Sequence, residues 1–342
     1  DLHPRVRRQR QICIRDRYKT VLKSKTSESI CTDLKKLGYS THAVHNNEAT
    51  FYGRNTVFSN IGFDTFCSME YMNGLTDSPN GWSNDDVLSR EIMKTLDSTS
   101  GPDFTMAITV QSHGKYDGIA LDDPTIKVTG APEGKEQAYE YYVNEIHEVD
   151  RMIDTLIKEL SNRKEETVLV LYGDHLPSLD IQKDDLSNAN LYQTQYVVWD
   201  NMNLKKKTKN LHAYQLYAEV LDRIQIHEGM ITKYHQQTKH RSKLYLTGLT
   251  TLSYDLLYGD NYAYDGENPF KQTELQMGTE PVKLTSVQKT KSGYRVVGSG
   301  FTPYCKVYYD GTLVESEWIS SECLQLQDAV SYTHLTLPTN SR

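Results

Sequence analysis

The chain has 342 residues, 45 acidic and 38 basic, for a formal charge of −7; that length suits one large domain, or a large one with a small companion. A hydrophobic fraction of 37% supplies a sizeable core and argues against disorder over most of the chain, and no run of about 18 apolar residues marks a membrane span. Five cysteines without a CxxC pair exclude a disulfide-rich scaffold, the acidic balance argues against nucleic acid as the main partner, and the opening residues carry no signal-peptide pattern.

The two ends differ from the rest. Residues 1–17 hold six Arg and two Asp, and residues 329–342 hold one Arg and no acid, which leaves 43 acids against 31 bases over 18–328. QRQICIRDR and SYTHLTLPTNSR resemble translated sequencing-adapter sequence, so both ends are set aside from fold reasoning. On that expectation the natural protein extends beyond this chain on both sides.

Residues 27–37 read as a short helix with Ile30, Leu34 and Leu37 on one face, stopped by Gly38. A short buried strand is expected at 41–44. Residues 55–64 and 73–86 read as loops, with Ser83 or Asn84 capping a helix over 85–97. FTMAITV at 104–110 is a strand leading to His113, and 115–135 is an excursion. The longest helix is expected over 136–161, where Val143, Ile146, Val149, Ile153, Leu156, Ile157 and Leu160 recur at helical spacing. TVLVLY at 167–172 is a continuous apolar run that fits a central strand, and it leads to Asp174-His175. A strand at 196–199 and a helix over 213–224 complete an alternation that predicts a layered α/β fold. Beyond about 281 the segments become short and β-rich, with Asp310-Gly311 as a hairpin signal. They predict the first part of a small β domain, too short for a whole Ig-like sandwich.

Ligands of open α/β sheets bind beyond strand ends, so His45, His113 and Asp174-His175 are candidates for one site. Asp174 and His175 offer an oxygen and a nitrogen to one divalent cation; the alternative is a loop-bonding Asp beside an exposed His. His45, Tyr52 and Arg54 lie within ten residues. The planar fork of Arg54 suits a phosphate and Tyr52 suits a small apolar face; the alternative is an ordinary polar loop. His113 suits proton donation near neutral pH, or a structural role.

Four stretches, LKKLGYSTHAVHNN at 34–47, FYGRNTVFSNIGFDTF at 51–66, DFTMAITVQSHGKY at 103–116 and VLVLYGDHLPSLD at 168–180, resemble lipoteichoic acid synthases and their relatives in the alkaline-phosphatase and sulfatase superfamily. YQTQYVVWDN at 192–201 and YDLLYGDNY at 254–262 resemble the Gram-positive branch. The resemblance covers about 18–280. It implies an α/β sandwich around a central β-sheet over 18–280; the β-rich pattern beyond it is read as a truncated, Ig-like β domain over 281–328. It implies a manganese-like divalent cation on Asp174 and His175. It places His45, Arg54 and His113 around a phosphoglycerol group, Tyr52 where relatives often carry Trp, and Asn47 near the polyol. It implies transfer of phosphoglycerol from phosphatidylglycerol to a polyglycerolphosphate chain, outside the membrane, through a covalent threonine. The family's nucleophilic Thr, an upstream Glu ligand and its membrane helices have no counterpart here, so the chain itself is expected to be inactive. The alternatives are another phosphotransferase or a sulfatase of the superfamily, or a degenerate cell-envelope binding protein.

Overall fold

The computed structural model describes residues 21–240, 242–291, 293–326 and 335–336; the set-aside ends lie outside these apart from Leu335 and Thr336. Helix α1 (Ile30–Lys35) opens on a capping box: the Ser29 hydroxyl accepts from the Cys31 and Thr32 amides, and the Thr32 hydroxyl accepts from Ser29 N at 2.9 Å. Gly38, at φ +83°, ends the segment in the left-handed region. Leu34 is buried as expected, but Leu37 is exposed, because the helix stops at Lys35 before Leu37 can share its face.

Strand β1 (Ser40–His45) is buried from Thr41 onward. It pairs in parallel with β2 (Thr65–Ser68) on one side and β3 (Asp103–Ile108) on the other. Its side chains alternate between faces. Ala43 packs with Cys31, Phe58, Phe63 and Phe66, whereas Val44 packs with Val87, Leu88 and Met152 from the opposite helical layer. Helix α2 (Arg54–Asn60) corrects the loop expected at 55–64. Asn and Ser gave that stretch a loop composition, but burial of Val57 and Phe58 outweighs it. Each buried aromatic ring contributes roughly 2–3 kcal/mol.

Helix α3 (Val87–Asp97) starts without a side-chain cap, so neither Ser83 nor Asn84 caps it. The neighbouring Asp85 is committed elsewhere, as described below. Helix α4 (Glu136–Asn162) spans the predicted range. Leu156 and Leu160 are buried, but Ile146 is exposed, and the polar Asn144 and Glu145 are buried instead. Asn144 is satisfied there by bonds with both the amide and the carbonyl of Ile126, in the excursion.

Strand β4 (Val168–Tyr172) differs from the central strand expected of its apolar run. It pairs antiparallel with β5 (Tyr196–Asp200) and with no other described strand. Its run of Val and Leu is only half-buried. Leu169 and Trp199 pack on Ile92, Leu156 and Leu160, which join the pair to α3 and α4. The apolar run thus reports side-chain packing and says nothing about edge partners.

Helices α5 (Leu216–Arg223), α6 (Met230–Gln237) and α7 (Lys243–Leu257) follow. Leu221 and Ile226 pack on Leu34 and Phe104. Strand β6 (Gln276–Met277) completes a four-stranded parallel sheet of order β3-β1-β2-β6.

Beyond it, β7 (Lys283–Thr290) and β8 (Gly293–Ser299) form a hairpin, and β9 (Val307–Tyr309) and β10 (Thr312–Val314) form another. Asp310 and Gly311, at φ +46° and +76°, make the expected two-residue turn. With β11 (Ser316–Ser320) and β12 (Cys323–Leu326), the first hairpin makes a sheet of order β11-β12-β8-β7, and β13 (Leu335–Thr336) pairs with β9. Val296, Phe301, Val307, Leu324 and Leu326 form a core of their own. Two bonds fasten it to the segment after β2: Thr302 Oγ1 donates to Glu70 O at 2.6 Å, and Asn73 Nδ2 to Phe301 O at 3.1 Å.

Candidate active site

The parallel strands β1 and β3 end side by side, with His45 opposite Ile108 in register. His45 is buried, and its Nδ1 donates to the Ile108 carbonyl at 2.8 Å. A carbonyl only accepts, so Nδ1 carries the proton and Nε2 presents a lone pair. Nε2 is buried without a hydrogen-bond partner among the described residues. Burial, and then the positive charge of Arg54, lower the His45 pKa to about 4. The ring is therefore neutral at pH 7. A neutral acceptor suits a ligand hydroxyl; it does not suit an oxyanion.

Arg54 opens α2 behind an unusual turn. Tyr52, at φ +60°, and Gly53, at φ +69°, are successive left-handed residues. A bulky residue rarely adopts that conformation. The turn sets the guanidinium 5.3 Å from the Phe51 ring centroid and 5.6 Å from that of Tyr52. Phe51 and Tyr52 are exposed beneath it. Asn47 uses its Oδ1 to accept the Glu48 amide at 2.7 Å, which shapes the exit from β1.

His113 is exposed, and its Nδ1 donates to Gly114 O at 2.7 Å. Its ring lies edge-on to Trp82 at 5.2 Å. The loop carrying Trp82 joins the two strand exits. Trp82 Nε1 donates to Gly114 O, Asn80 Nδ2 to His113 O, and Asn46 Nδ2 to the carbonyls of Ser83 and Asn84.

Asp85 lies at the centre of this junction, fully buried, and sequence reasoning missed it. Its carboxylate accepts from Val110 N at 2.9 Å, Gln111 N at 3.2 Å and Asn46 Nδ2 at 2.8 Å, while its own amide donates to Gln111 Oε1. Burial raises its pKa to about 6 against these bonds. Glu145 of α4, also buried, is raised chiefly by burial, with Gln111 and Tyr141 opposing. In the string SNDD, Asp85 looks like any loop acid, so only a surplus of acids after Ser83 hinted at it. A second unforeseen pair, His42 and Asp103, is buried within β1 and β3 at 3.0 Å. It is structural, with Thr65 Oγ1 on the other ring nitrogen.

Asp174 and His175 follow β4 and are exposed. His175 Nδ1 donates to Leu176 O at 2.8 Å, which leaves the lone pair on Nε2, 3.6 Å from Asp174 Oδ2. That arrangement fits two donors to one divalent cation. Among the described residues no group of three His, Cys, Asp or Glu is placed to hold a metal. The two therefore fit part of a metal site and do not complete one. The loop they occupy touches that of His113: a Cβ added to Gly114 would lie 2.6 Å from Ser178 Oγ, and Leu179 packs with Tyr116 and Tyr141. Direct contacts thus link the loops of His45, His113 and Asp174-His175. Arg54 is joined to His45 through its charge.

A parallel sheet between helical layers, with polar groups gathered at its strand ends, is the architecture of phosphate- and sulfate-ester enzymes of the alkaline-phosphatase type. Residues 11–226 match the sulfatase family, and the chain belongs to it. It is 31% identical over 197 residues to a Rhizobium meliloti (strain 1021) protein named for cyclic beta-1,2-glucan modification, covering 52% of this chain and 30% of that protein. It is 24% identical over 199 residues to lipoteichoic acid synthase 2 of Bacillus subtilis (strain 168), covering 57% and 30%. The chain thus spans about a third of the length of these relatives. Among solved structures, the Streptococcus pyogenes phosphoglycerol transferase GacH, in complex with sn-glycerol-1-phosphate, matches with a TM-score of 0.53 at 20% identity. That match covers 69% of this chain and 66% of GacH, a likeness of fold. Among the described residues no helix is long and apolar enough to cross a membrane.

Proposed function

We propose that this chain is the larger part, over 18–280, of the catalytic domain of a phosphoglycerol transferase, followed over 281–328 by part of a small β domain. The reaction moves phosphoglycerol from phosphatidylglycerol to a growing polyglycerolphosphate chain on the outer face of a bacterial cell membrane. The names of the Bacillus and Streptococcus relatives support this class of substrate. One observation carries the reading most directly: a neutral, buried His45 whose Nε2 offers a lone pair beside the fixed charge of Arg54. A phosphoglycerol group presents both matching features, an anionic phosphate and neutral hydroxyls.

In this reading Arg54 pairs with the phosphate oxygens. His45 Nε2 accepts a glycerol hydroxyl, and Asn47 borders the polyol. The Tyr52 ring covers the glycerol carbons. A threonine oxygen forms a bond to phosphorus while the diacylglycerol oxygen leaves and takes up a proton. The terminal glycerol hydroxyl of the chain then displaces the threonine oxygen, losing its proton as the threonine regains one. His113 orients or protonates an oxygen in these steps. No threonine of this chain stands in the nucleophile motif, so the chain as given turns over no lipid. Asp174 and His175 are two ligands of a divalent cation, Mn²⁺ in this reading. When bound, such an ion polarises phosphate oxygens.

The test is binding of sn-glycerol-1-phosphate to the purified chain by calorimetry. Arg54→Ala removes a charged bond worth roughly 1.5–3 kcal/mol, and Asn47→Ala a neutral one worth ~1 kcal/mol. Equal losses would sink the role of Arg54. The Rhizobium relative favours a second reading in which the acceptor is a glucan hydroxyl. A full-length protein given both acceptors and labelled phosphatidylglycerol separates the two, and hydrolysis of a sulfate ester alone would replace both with a sulfatase.

A further inference from the structure

Helix α7 is out of character for a surface helix. Its charged residues are Lys243, at the start, and Asp255, whose carboxylate accepts the amides of Tyr262 and Ala263. At 100° per residue, Tyr245 and Leu256 fall on the buried side. Leu244, Leu246, Thr247, Thr250, Thr251, Tyr254 and Tyr258 share the outer arc, and all are exposed. The one charge that falls on that arc is Lys243, in the first turn; from Leu244 onward the arc carries none. Leu244 is 75% exposed and Tyr254 61%, and just beyond the helix Tyr262 is 76% exposed. A solvated helix ordinarily places charged residues on such a face.

Basic residues flank it. The helix is preceded by Lys239-His240-Arg241-Ser242 in the sequence and opens on Lys243. Lys205, Lys206 and Lys207 are exposed in the loop after β5, and neither they nor Lys239 make an ion pair among the described residues. The two basic segments meet in space: Lys209, Lys239 and His240 line one cavity of about 390 Å³ with Glu219 and Asp222. Glu219 is paired to Lys209, and Asp222 lies 3.9 Å from His227. This local excess of positive charge sits on a chain that is acidic overall.

A Leu/Tyr face that carries no acid and is bordered by lysines matches the chemistry of a helix lying in the headgroup region of an anionic bilayer. Leucine enters the acyl boundary, tyrosine sits at the headgroups and lysine meets the anionic charge. We propose that α7 and the Lys205–Lys207 and Lys239 rim form a docking surface for an anionic lipid membrane. The far end of α7 is tied to the segment that borders the Arg54 turn. Lys25 Nζ donates to Gly259 O at 3.4 Å, and Lys23 packs against Gly53 of the Arg54 turn. The docking does not depend on the catalytic reading above.

The experiment is co-sedimentation of the purified chain with vesicles of phosphatidylcholine alone and with roughly 30% phosphatidylserine added, an anionic lipid that carries no phosphoglycerol headgroup. The chain is expected to pellet with the anionic vesicles and to be released by salt. The triple variant Lys205→Glu, Lys206→Glu, Lys207→Glu should weaken binding by ~100-fold or more, since each of the three charges is worth about fivefold near such a surface. The variant Leu244→Ser, Leu246→Ser, Tyr254→Ser should weaken it about tenfold or more without shifting the melting transition. Arg54→Ala should leave it unchanged, so failure of the catalytic reading and failure of the docking are told apart. Equal pelleting on both vesicles, or by all variants, would overturn the proposal. So would a dimer in gel filtration that the Leu/Tyr variant dissociates, because a second copy would then cover this face.

Discussion

The neutrality of His45 can be tested through folding stability. The folded-state pKa is lowered to about 4 from 6.5 by burial and by Arg54. Between these values the unfolded chain binds a proton at this ring and the folded chain does not. Stability therefore rises with pH across that window and is lost as pH falls through it. Moving from pH 7 to pH 5, this single ring should remove about 2 kcal/mol, since each full unit of separation is worth roughly 1.4 kcal/mol. Buried acids work in the opposite direction. The pKa of Asp33 is raised to about 7 and that of Asp85 to about 6, so the folded chain holds extra protons there and loses stability as pH rises through the same range. Buried His235, also lowered to about 4, acts with His45, so the two histidines and the two acids oppose each other and the wild-type curve alone will look nearly flat. The measurement is a difference: urea unfolding of the parent and of His45→Gln at pH 7 and pH 5. The variant should lose about 2 kcal/mol less than the parent on acidification. Equal losses, or a His45 proton resonance titrating near 6.5, would refute the neutral imidazole and with it the hydroxyl-acceptor role.

Other consequences follow from single contacts. Asp85→Ala leaves the buried amides of Val110 and Gln111 without their acceptor and should cost about 2–4 kcal/mol in urea unfolding, with weaker sn-glycerol-1-phosphate binding than a surface control; an unchanged midpoint would show that the junction rearranges freely. Gly229→Ala should cost about 3 kcal/mol, because Gly229 sits at φ +86° and a Cβ there would lie 2.0 Å from Asp33 Oδ2; a loss below ~1 kcal/mol would contradict the close packing of α1 on the start of α6. Tyr52→Val should destabilise by roughly 1–2 kcal/mol while Tyr52→Asn is tolerated, as Asn adopts the left-handed conformation readily; equal thermal midpoints for the two would argue against that turn. Calorimetry with Mn²⁺ should show weak binding that Asp174→Ala abolishes, because two donors do not complete a site; tight stoichiometric binding would reveal further ligands within this chain.

Local chemistry alone determined a good part of this protein. Heptad-like spacing located α4 from Glu136 to Asn162, because helical periodicity is a property of neighbouring residues. Asp310-Gly311 announced its hairpin because few other residues adopt two successive left-handed conformations. The strand-end positions of His45, His113 and Asp174 were legible because apolar runs stop where polar loops begin. Tertiary structure decided the rest. Whether the stretch after Arg54 became loop or helix depended on the space that Phe63 and Phe66 leave for Phe58. Whether the VLVLY strand lay inside a sheet or at its margin depended on which strands stood beside it, and composition carries no record of that. The pairing of Asp85 with the exits of two strands, and the burial that does most to lower the pKa of His45, arise from groups distant in sequence that only folding brings together. The same holds for α7. The sequence alone assigns residues 243–257 no face at all, because exposure is set by what packs against a face and not by the residues on it.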